Sequence, residues 1–381
     1  MAIAEMNYSR YKFLLVEPVA KTSYPPLGLM KISSMLKERY KGCQVIPQVG
    51  NSLESRITSP NKIYITSLFT WDWKSVAECA RYYNNNFPNS EILIGGIGAS
   101  LVQEDIFNET GIKPHKGLYD EAEFCSPDYS LTFGRMNGAS ITFTSRGCPR
   151  NCEFCSVKEL EPRFFVKENW EKDIEEKYPK IVFWDNNFLA SPNFEEDCIE
   201  IEKFNKKVDF NQGLDARLLN EERARILFRI NVDPIRLAFD DVNYENAVLN
   251  AINIVKKYSK REIMVYVLYN FLDKPEELYY RINLLNKEGV LSFPMEYRAP
   301  TARINKVPGR NWNTYLLRAF KLTLLFYYRK GMITRSRNSF LSIYGKNEKE
   351  FVSRLYEIYS YDKKLNRKTR GIGQFGESKN E

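Results

Sequence analysis

Three closely spaced cysteines are the residues of this chain most suited to chemistry. Cys148, Cys152 and Cys155 form a Cys-x3-Cys-x2-Cys triplet in the stretch Ser-Arg-Gly-Cys-Pro-Arg-Asn-Cys-Glu-Phe-Cys-Ser, residues 145–156. Closely spaced Cys thiolates hold iron–sulfur clusters, and a four-iron cubane takes one ligand per iron. Three thiolates leave one iron open. An open iron suits a cluster that binds a small molecule, whereas a cluster that only relays electrons does not need one.

A zinc site and a disulfide are the two alternatives for these cysteines. Zinc usually takes four ligands in two pairs, but no second pair follows the triplet and His115 is the only His. The seven cysteines are an odd number, and the other four are scattered, which disfavours disulfides: Cys43, Cys79, Cys125 and Cys198. We therefore prefer the iron–sulfur cluster, with zinc or an inert loop as the alternatives.

The triplet, with the aromatic Phe154 just before the third Cys, resembles the cluster loop of the radical S-adenosylmethionine (SAM) superfamily. The resemblance implies that Cys148, Cys152 and Cys155 hold a [4Fe-4S] cluster and that Phe154 contacts the SAM adenine. It further implies that SAM binds the open iron and is cleaved to a 5′-deoxyadenosyl radical, which abstracts hydrogen from a substrate. Such an enzyme needs an external one-electron reductant of the flavodoxin or ferredoxin type.

The elements before the triplet are predicted to form a parallel sheet covered on both faces. The chain has 381 residues, longer than a usual single domain, and is 43% hydrophobic, enough for a sizeable core. Short apolar runs alternate with amphipathic stretches, as in α/β proteins. The predicted strands are 11–19, 44–48, 62–69 and 91–96, and the predicted helices are 30–40 and 73–85.

This order of elements, with the opening Pro25-Pro26-Leu27-Gly28-Leu29, resembles the Rossmann-like cobalamin-binding domain of B12-type radical SAM enzymes, over about residues 10–125. The usual Asp-x-His-x-x-Gly motif is missing, because Lys113 and Leu118 occupy its Asp and Gly positions around His115. No imidazole ligand is therefore expected. We interpret His115 as an exposed loop residue. Cobalamin stays an open cofactor, and the alternative is a domain that serves packing or substrate contact.

Three glycines follow the last predicted strand of this domain. Gly95, Gly96 and Gly98 lie where the strand gives way to a helix. In the family resemblance this loop lies along a cobalamin nucleotide tail. The alternative is a tight turn that needs glycine for backbone reasons.

After residues 126–138, which read as a linker, six βα units fit between 139 and 300 and match the partial (β/α)6 TIM-type barrel of the radical SAM core. The predicted strands are 139–144, 180–184, 208–212, 235–239, 263–268 and 292–297. The predicted helices between them are 168–177, 194–206, 220–229, 244–258 and 275–287. We divide the chain into domain 1–125, linker 126–138, barrel 139–300, helical C-terminal cap 301–362 and basic mobile tail 363–381.

Ligands of such barrels gather at the C-terminal ends of the strands, so polar residues there are the binding candidates. The segment 184–188 resembles the Asp-Asp-x-Phe segment of cobalamin-type radical SAM enzymes, which implies Asp185 and Asn187 near the SAM amino group and ribose. Gln212 could reach the ribose, and Arg217 could pair bidentately with the SAM carboxylate. Asp240 is a further candidate. Helix capping is the alternative role for each of these residues. The same alternative applies to the remaining strand-end residues: Asp241, Asn270, Glu296, Tyr297 and Arg298.

The C-terminal region is strongly basic. Residues 301–381 carry 18 Lys and Arg against 6 Asp and Glu. A localised basic segment indicates an anionic partner such as nucleic acid, although Lys and Arg also commonly cover a surface helix. Helices are predicted at 312–330 and 349–361.

The preferred function is that of a radical SAM enzyme acting on a small molecule or nucleotide. The enzymatic alternatives are a cobalamin-dependent methyltransferase and a radical modifier of nucleic acid. A non-enzymatic metal or iron–sulfur protein that binds nucleic acid is the remaining alternative. No signal sequence and no apolar run long enough to span a bilayer is present, so a cytoplasmic location without membrane attachment is expected.

Overall fold

The structure is a computed structural model that describes residues 10–53, 58–135, 138–300, 307–327, 331–333 and 335–373. The chain forms two compact units. The N-terminal unit is Met1–Gln212 with Ala299–Arg303, and the C-terminal unit is Gly213–Arg298 with Ile304–Glu381.

The N-terminal unit begins with a four-stranded parallel sheet of order β2-β1-β3-β4. Its elements are β1 (Lys12–Glu17), α1 (Leu27–Arg39), β2 (Gln44–Val49), β3 (Lys62–Thr66), α2 (Trp73–Asn86), β4 (Glu91–Gly95), α3 (Ile97–Leu101), α4 (Gln103–Thr110) and α5 (Asp120–Glu123). A strand buried on both faces needs a continuous apolar run, and β1 has one. The predicted Rossmann-like sheet is therefore present.

Each face of β1 packs on a separate core, because successive side chains of a strand point to opposite faces. Leu14 and Val16 pack in the core that contains α2, whose buried residues include Val76, Ala80 and Tyr83 at helical spacing. Phe13 and Leu15 pack in the other core, with residues of α1 such as Met35 and Leu36. The sheet therefore has helices on both faces, as expected.

The predicted linker packs against the N-terminal unit. Leu131 and Phe133 are buried in the same core as Phe13. The Tyr129 hydroxyl accepts a 2.7 Å hydrogen bond from the Ile141 N–H and donates to the Asp173 carbonyl oxygen at 3.0 Å. These contacts hold the segment that leads into the next strand, which begins at residue 139.

The first three barrel strands also lie in the N-terminal unit. Its remaining elements are β5 (Ala139–Thr142), β6 (Ser145–Arg146), α6 (Val157–Leu160), β7 (Phe165–Val166), β8 (Lys180–Phe183), α7 (Phe194–Lys203) and β9 (Lys207–Phe210). β8 pairs in parallel with β5 on one side and with β9 on the other. β6 and β7 form a short antiparallel pair around the cysteine triplet.

One predicted helix of this region is wrong. Residues 168–177 form only a short 3-10 turn, Trp170–Asp173, preceded by Asn169 in the left-handed conformation. Side-chain contacts hold this turn: the Trp170 indole N–H donates to Asp197 at 2.9 Å, and the Asp173 carboxylate accepts from the Thr142 hydroxyl at 2.7 Å. Tertiary hydrogen bonds to buried partners outweigh the local helix propensity.

The C-terminal unit contains the other three barrel strands and the helical cap. Its elements are α8 (Glu221–Leu227), β10 (Asn231–Val232), β11 (Ile235–Ala238), α9 (Glu245–Tyr258), β12 (Ile263–Tyr269), α10 (Pro275–Lys287), β13 (Leu291–Glu296), α11 (Thr314–Tyr327), α12 (Arg337–Tyr344) and α13 (Glu348–Gly373). β12 pairs in parallel with β11 and β13. All six predicted barrel strands are present, which confirms the α/β class with a Rossmann-like sheet, a partial (β/α)6 barrel and a helical C-terminal cap.

The cap packs on α10 through an aromatic cluster. Tyr279 of α10 lies with its ring centre 5.3 Å from that of Phe351 and 5.9 Å from that of Phe340. Phe320 of α11 contacts the ring of Phe351 at 6.1 Å. Buried aromatic pairs of this kind stabilise beyond the area they bury. The cap therefore belongs to the same core as the strands of its unit.

The last helix is longer than expected. The sequence predicts that it ends at Tyr361, whereas α13 continues to Gly373. The predicted mobile tail 363–381 therefore begins inside a helix, and residues 374–381 lie outside the described part of the chain. Across the described ranges, the helices are all too short or too polar to cross a membrane.

Candidate functional site

The cysteine triplet lies on a loop, residues 147–156, which we call the cluster loop. It connects β6 to α6. Cys148, Cys152 and Cys155 are all half-buried thiols. A 3.1 Å hydrogen bond from the Cys155 N–H to the Cys152 carbonyl oxygen closes a tight turn between the last two. All three predicted cluster ligands therefore lie on one loop.

Two N–H groups point at the sulfur of Cys148. The Arg150 backbone N–H lies 3.4 Å from it. The side-chain amide nitrogen of Asn187 lies 3.8 Å from it, and Asn187 is buried. N–H donors directed at a cysteine sulfur stabilise negative charge on that sulfur, as in iron–sulfur proteins.

The described residues offer no ligand set for a single metal ion. No three or more of their His, Cys, Asp and Glu side chains are grouped so that one ion could sit among them. The three thiolates of the cluster loop could each bind one iron of a cubane.

A buried carboxylate supports the start of the cluster loop. Glu161 Oε2 accepts hydrogen bonds from the Gly147 N–H at 2.7 Å and from the Asn186 amide at 2.9 Å. Its Oε1 pairs with Arg146 at 3.3 Å. Arg146 also pairs with Glu123 of α5 at 3.1 Å, and its guanidinium lies 4.1 Å from the centre of the Phe143 ring. Sequence reasoning missed Glu161 and Arg146, since no local pattern marks them.

Asp185 is bound to the strand end that leads into the loop. Its Oδ1 accepts from the Ser145 N–H at 2.7 Å and from the hydroxyls of Ser145 and Thr144, both at 2.8 Å. The Thr144 N–H also donates to Oδ2, at 3.0 Å. Asp185 is 3% exposed, and this burial raises the pKa of its carboxyl group, although these four donor groups oppose the rise.

The remaining predicted residues of the N-terminal unit differ in exposure. Phe154 is half-buried in the cluster loop, and Gln212 is exposed just after β9. Gln212 lines the cavity described below. His115 is exposed, as predicted, and its Nε2 lies 2.6 Å from the Leu118 carbonyl oxygen.

The C-terminal unit holds the other two predicted cofactor residues. Arg217 forms a bidentate pair with Asp215, with distances of 2.7 and 3.0 Å, and its guanidinium lies 4.5 Å from the centre of the Tyr244 ring. Asp240 lies at the end of β11. Burial raises the pKa of its carboxyl group to about 6, opposed chiefly by Arg281.

Most of the other strand-end candidates serve the fold of the C-terminal unit. Asp241 accepts from the Asn243 N–H at 2.8 Å, which is a capping contact. Asn270 is buried, donates to Tyr297 and Val307 carbonyls and accepts from the Gly309 N–H at 2.6 Å. Glu296 pairs with Arg298 at 2.9 Å and with Lys321 at 2.5 Å. The Tyr297 ring packs edge-on against Phe271, with 4.7 Å between ring centres. These contacts favour the structural alternative for these residues.

A cavity of about 340 Å³ lies in the N-terminal unit, at the C-terminal edge of the Rossmann-like sheet. The ends of β1, β3 and β4 form one side of it. Phe143, Arg146, Trp184 and Gln212 belong to its lining as well. Ligands of open α/β sheets bind beyond the carboxyl ends of the strands, so this cavity is the candidate ligand site of the unit.

The glycines beside the cavity are required by the backbone. Gly96 has a φ of +95°, and a Cβ there would lie 2.5 Å from the Ser67 carbonyl oxygen. A Cβ on Gly98 would lie 2.6 Å from the carbonyl carbon and oxygen of Phe69. The chain's own β3 loop fills the space that a side chain would take. This packing accounts for the glycines without a ligand.

Comparison with solved structures gives distant similarities. One is the apo, selenomethionine-labelled cobalamin-dependent S-adenosylmethionine radical enzyme OxsB, with 15% identity, a TM-score of 0.47, and coverage of 73% of this chain and 52% of that chain. Streptococcus suis SuiB bound to precursor peptide SuiA has 11% identity, a TM-score of 0.37, and coverage of 52% and 47%. SuiB bound to S-adenosylmethionine has 11% identity, a TM-score of 0.32, and coverage of 44% and 40%. The chain spans about half the length of OxsB.

No curated protein matches the chain. Residues 142–267, however, match the family described as the radical SAM superfamily. The matched segment begins in β5, includes the whole cluster loop and ends in β12. The family implies a [4Fe-4S] cluster and SAM as cofactors, and a reductant and a substrate as partners. The similarity of this chain to the radical SAM superfamily is therefore carried by residues 142–267.

Proposed function

We propose that this protein uses a [4Fe-4S] cluster held by Cys148, Cys152 and Cys155 to cleave SAM and to abstract hydrogen from a small-molecule or nucleotide substrate. When bound, the cluster and SAM together supply a 5′-deoxyadenosyl radical. The chain's own residues hold the cluster, orient SAM and exclude side reactions. A flavodoxin- or ferredoxin-type donor supplies the electron.

The contacts of the Cys148 sulfur are the observation that carries this proposal. Two N–H groups lie within 4 Å of that sulfur, at 3.4 and 3.8 Å. The other two thiols lie on the same loop, within the segment that matches the family. Donors of this kind suit a thiolate that binds iron.

The SAM contacts are proposed for residues at the strand ends. Phe154 follows from its place beside Cys155, and Gln212 from its position on the cavity lining. Arg217 offers a planar guanidinium whose orientation is fixed by Asp215 and Tyr244. Asp240, at the end of β11, is proposed as a further SAM contact. Each assignment is testable by the affinity of the corresponding variant for SAM.

The substrate is proposed to bind in the cavity of the N-terminal unit. Its volume of about 340 Å³ falls at the lower end of the range for drug-sized ligands. Apolar and aromatic residues such as Tyr24, Leu68 and Trp184 line it together with seven charged residues: Glu17, Lys21, Lys31, Asp72, Glu123, Arg146 and Glu161. Such a combination of apolar and charged residues suits a small organic molecule that carries polar groups.

Cobalamin is not part of the proposal. The loop after β3 packs closely against Gly96 and Gly98, where the family resemblance would place a nucleotide tail. His115 contacts the Leu118 carbonyl through Nε2. Cobalamin added to the purified, reconstituted protein should give no bound corrinoid spectrum and no methylated product. A bound corrinoid that supports methyl transfer would favour the methyltransferase alternative.

Anaerobic reconstitution tests the main proposal. The wild-type protein should bind four iron and four sulfide per chain and, with dithionite and SAM, release 5′-deoxyadenosine. The Cys152→Ala variant should lose the product, whereas Cys125→Ala should keep it, because Cys125 is a half-buried thiol outside the cluster loop. One zinc per chain without labile sulfide would overturn the proposal.

A nucleic-acid partner and a cytoplasmic location stay predictions. The basic residues from Lys363 to Arg370 fall within α13. Binding through them would weaken as salt rises and would fall when residues 363–381 are deleted. Salt-independent binding, or binding unchanged by the deletion, would count against this partner.

A further inference from the structure

Three successive residues of the turn after β8 support segment 144–148, which leads into the cluster loop and includes Cys148. Asp185 binds the strand end before the loop, through Thr144 and Ser145. Asn186 donates to Glu161, which in turn accepts from the Gly147 N–H. The Asn187 amide lies 3.8 Å from the Cys148 sulfur. Three consecutive side chains therefore hold consecutive parts of one segment, 144–148.

The carboxylate of Asp185 is occupied by this support. One of its oxygens takes three hydrogen bonds of 2.7 to 2.8 Å from Ser145 and Thr144. A carboxylate oxygen has about two lone-pair sites, so this oxygen is saturated by the fold. With 3% of its surface exposed, Asp185 is poorly placed to bind an additional ammonium group.

Unlike the Asp185 carboxylate, the Asn187 amide faces a proposed cluster ligand, the sulfur of Cys148. It is 4% exposed, so water has little access to it. A hydrogen bond to a ligand sulfur stabilises the more negatively charged, reduced form of a cluster, and such bonds are among the factors that set cluster reduction potentials. In a poorly hydrated site this interaction is stronger than in water.

We propose that Asp185 and Asn187 are positioning residues of the cluster loop, and that Asn187 raises the reduction potential of the cluster through its N–H group on the Cys148 sulfur. The turn 185–187 then supports the cluster and does not bind SAM, in contrast to the role that the family resemblance implies. This inference rests on the proposed function, because it requires a cluster on Cys148.

A redox titration without SAM tests the role of Asn187. The reconstituted Asn187→Ala variant should keep four iron per chain, and its cluster should show a more negative midpoint potential by electron paramagnetic resonance. Asn187→Asp, which keeps the shape but replaces the donor with an acceptor, should shift the potential in the same direction. Asn193→Ala removes an exposed amide a few residues further on and should leave the potential unchanged.

SAM affinity separates the two roles of this turn. Asn187→Ala should bind SAM within twofold of wild type. A potential equal to that of wild type in both Asn187 variants, or a large loss of SAM affinity with an unchanged potential, would overturn the inference. A wild-type protein that does not bind four iron would instead contradict the proposed function, so the two failures are distinguishable.

Asp185 is tested by cluster retention. Asp185→Asn replaces one acceptor oxygen with a donor that faces other donors, so it should lower the iron content and raise the susceptibility of the loop 147–156 to proteolysis. In the fraction that retains a cluster, SAM affinity should match wild type. Normal iron content with weakened SAM binding would show that Asp185 contacts SAM, which would overturn its positioning role.

Discussion

A Cβ atom on Gly147 would lie 2.3 Å from the backbone carbonyl oxygen of Arg163. Gly147 immediately precedes Cys148 and has a φ of +75°. The antiparallel pairing of β6 with β7 brings the two segments together, with Arg146 opposite Phe165. The start of the cluster loop therefore packs directly against the main chain at Arg163.

Gly147→Ala should destabilise the protein and lower its iron content. The left-handed backbone alone costs a non-glycine residue about 1 kcal/mol, and displacing a carbonyl raises the cost to about 3 kcal/mol or more. Thermal unfolding and iron analysis measure the two effects.

Gly134→Ala is the matched control for this substitution. Gly134 has the same φ of +75°, but nothing lies within 4 Å of its ideal Cβ. The Gly134→Ala variant should lose only the stability that the left-handed backbone costs, and it should keep its full iron content. Equal losses in both variants would show that the contact with Arg163 has no effect.

Glu161→Gln should weaken the support of the cluster loop. The carboxylate accepts from Gly147, Asn186 and Arg146. A glutamine amide would place its NH2 group against one of these N–H donors in either orientation. The lost hydrogen bond costs about 1 to 3 kcal/mol for a buried group. The midpoint of thermal unfolding and the iron content per chain should both fall.

Glu159→Gln is the control for Glu161. Glu159 pairs with Lys116 at 2.9 Å, but its side chain is 50% exposed, against 12% for Glu161. Exposed ion pairs contribute at most about 1 kcal/mol, so this variant should behave as wild type. Similar losses in both variants would mean that burial of the Glu161 carboxylate is unimportant.

Asp197 should make stability fall as pH rises between about 4 and 6. Burial raises the pKa of its carboxyl group to about 6, opposed by the hydrogen bond from Trp170. In this pH window the folded state binds more protons than the unfolded state, so the free energy of unfolding decreases with rising pH. The destabilisation is fully developed above pH 6.

Asp197→Asn should remove this pH dependence. The asparagine oxygen can still accept from the Trp170 indole N–H, which lies 2.9 Å from Asp197 Oδ1. The midpoint temperature of unfolding of the variant should therefore rise relative to that of wild type as the pH is raised from 4 to 6. A constant difference across this window would show that the carboxyl group does not titrate there.

Arg217→Lys should weaken SAM binding by roughly tenfold or more, because a lysine cannot replace a bidentate contact with a carboxylate. Arg261→Lys is the control. Arg261 is an exposed arginine that pairs with Asp233 at 3.1 Å and precedes β12, at the N-terminal end of that strand. Equal SAM affinity in the two variants, measured by equilibrium binding, would contradict the proposed role of Arg217.

The sequence was most informative where the deciding interactions are local. The strands are short apolar runs, so each barrel strand could be predicted to within a few residues. The cysteine triplet lies within eight residues, and its spacing alone indicates an iron–sulfur cluster. The turn at Trp170 could not be predicted, because its hydrogen bonds reach Asp197 and Thr142, which are distant in sequence.

The same reasoning explains the missed residues of the site. Glu161 acts on Gly147 and Asn186, which are 14 and 25 residues away in sequence. Asp185 is predicted near SAM from the resemblance of segment 184–188, and only the folded chain shows that its oxygens accept hydrogen bonds from Thr144 and Ser145. Contacts between separate segments leave no periodic signal in the sequence.

The close packing of Gly96 and Gly98 on the loop after β3 has an evolutionary consequence. The space beside these glycines is taken up by the peptide groups of Ser67 and Phe69, together with the side-chain hydroxyls of Thr66 and Ser67. Point mutations trim side chains but leave peptide groups in place. Loss of a side chain alone would therefore not open this edge to a long ligand, because the peptide groups of Ser67 and Phe69 would stay in place unless the loop after β3 moved.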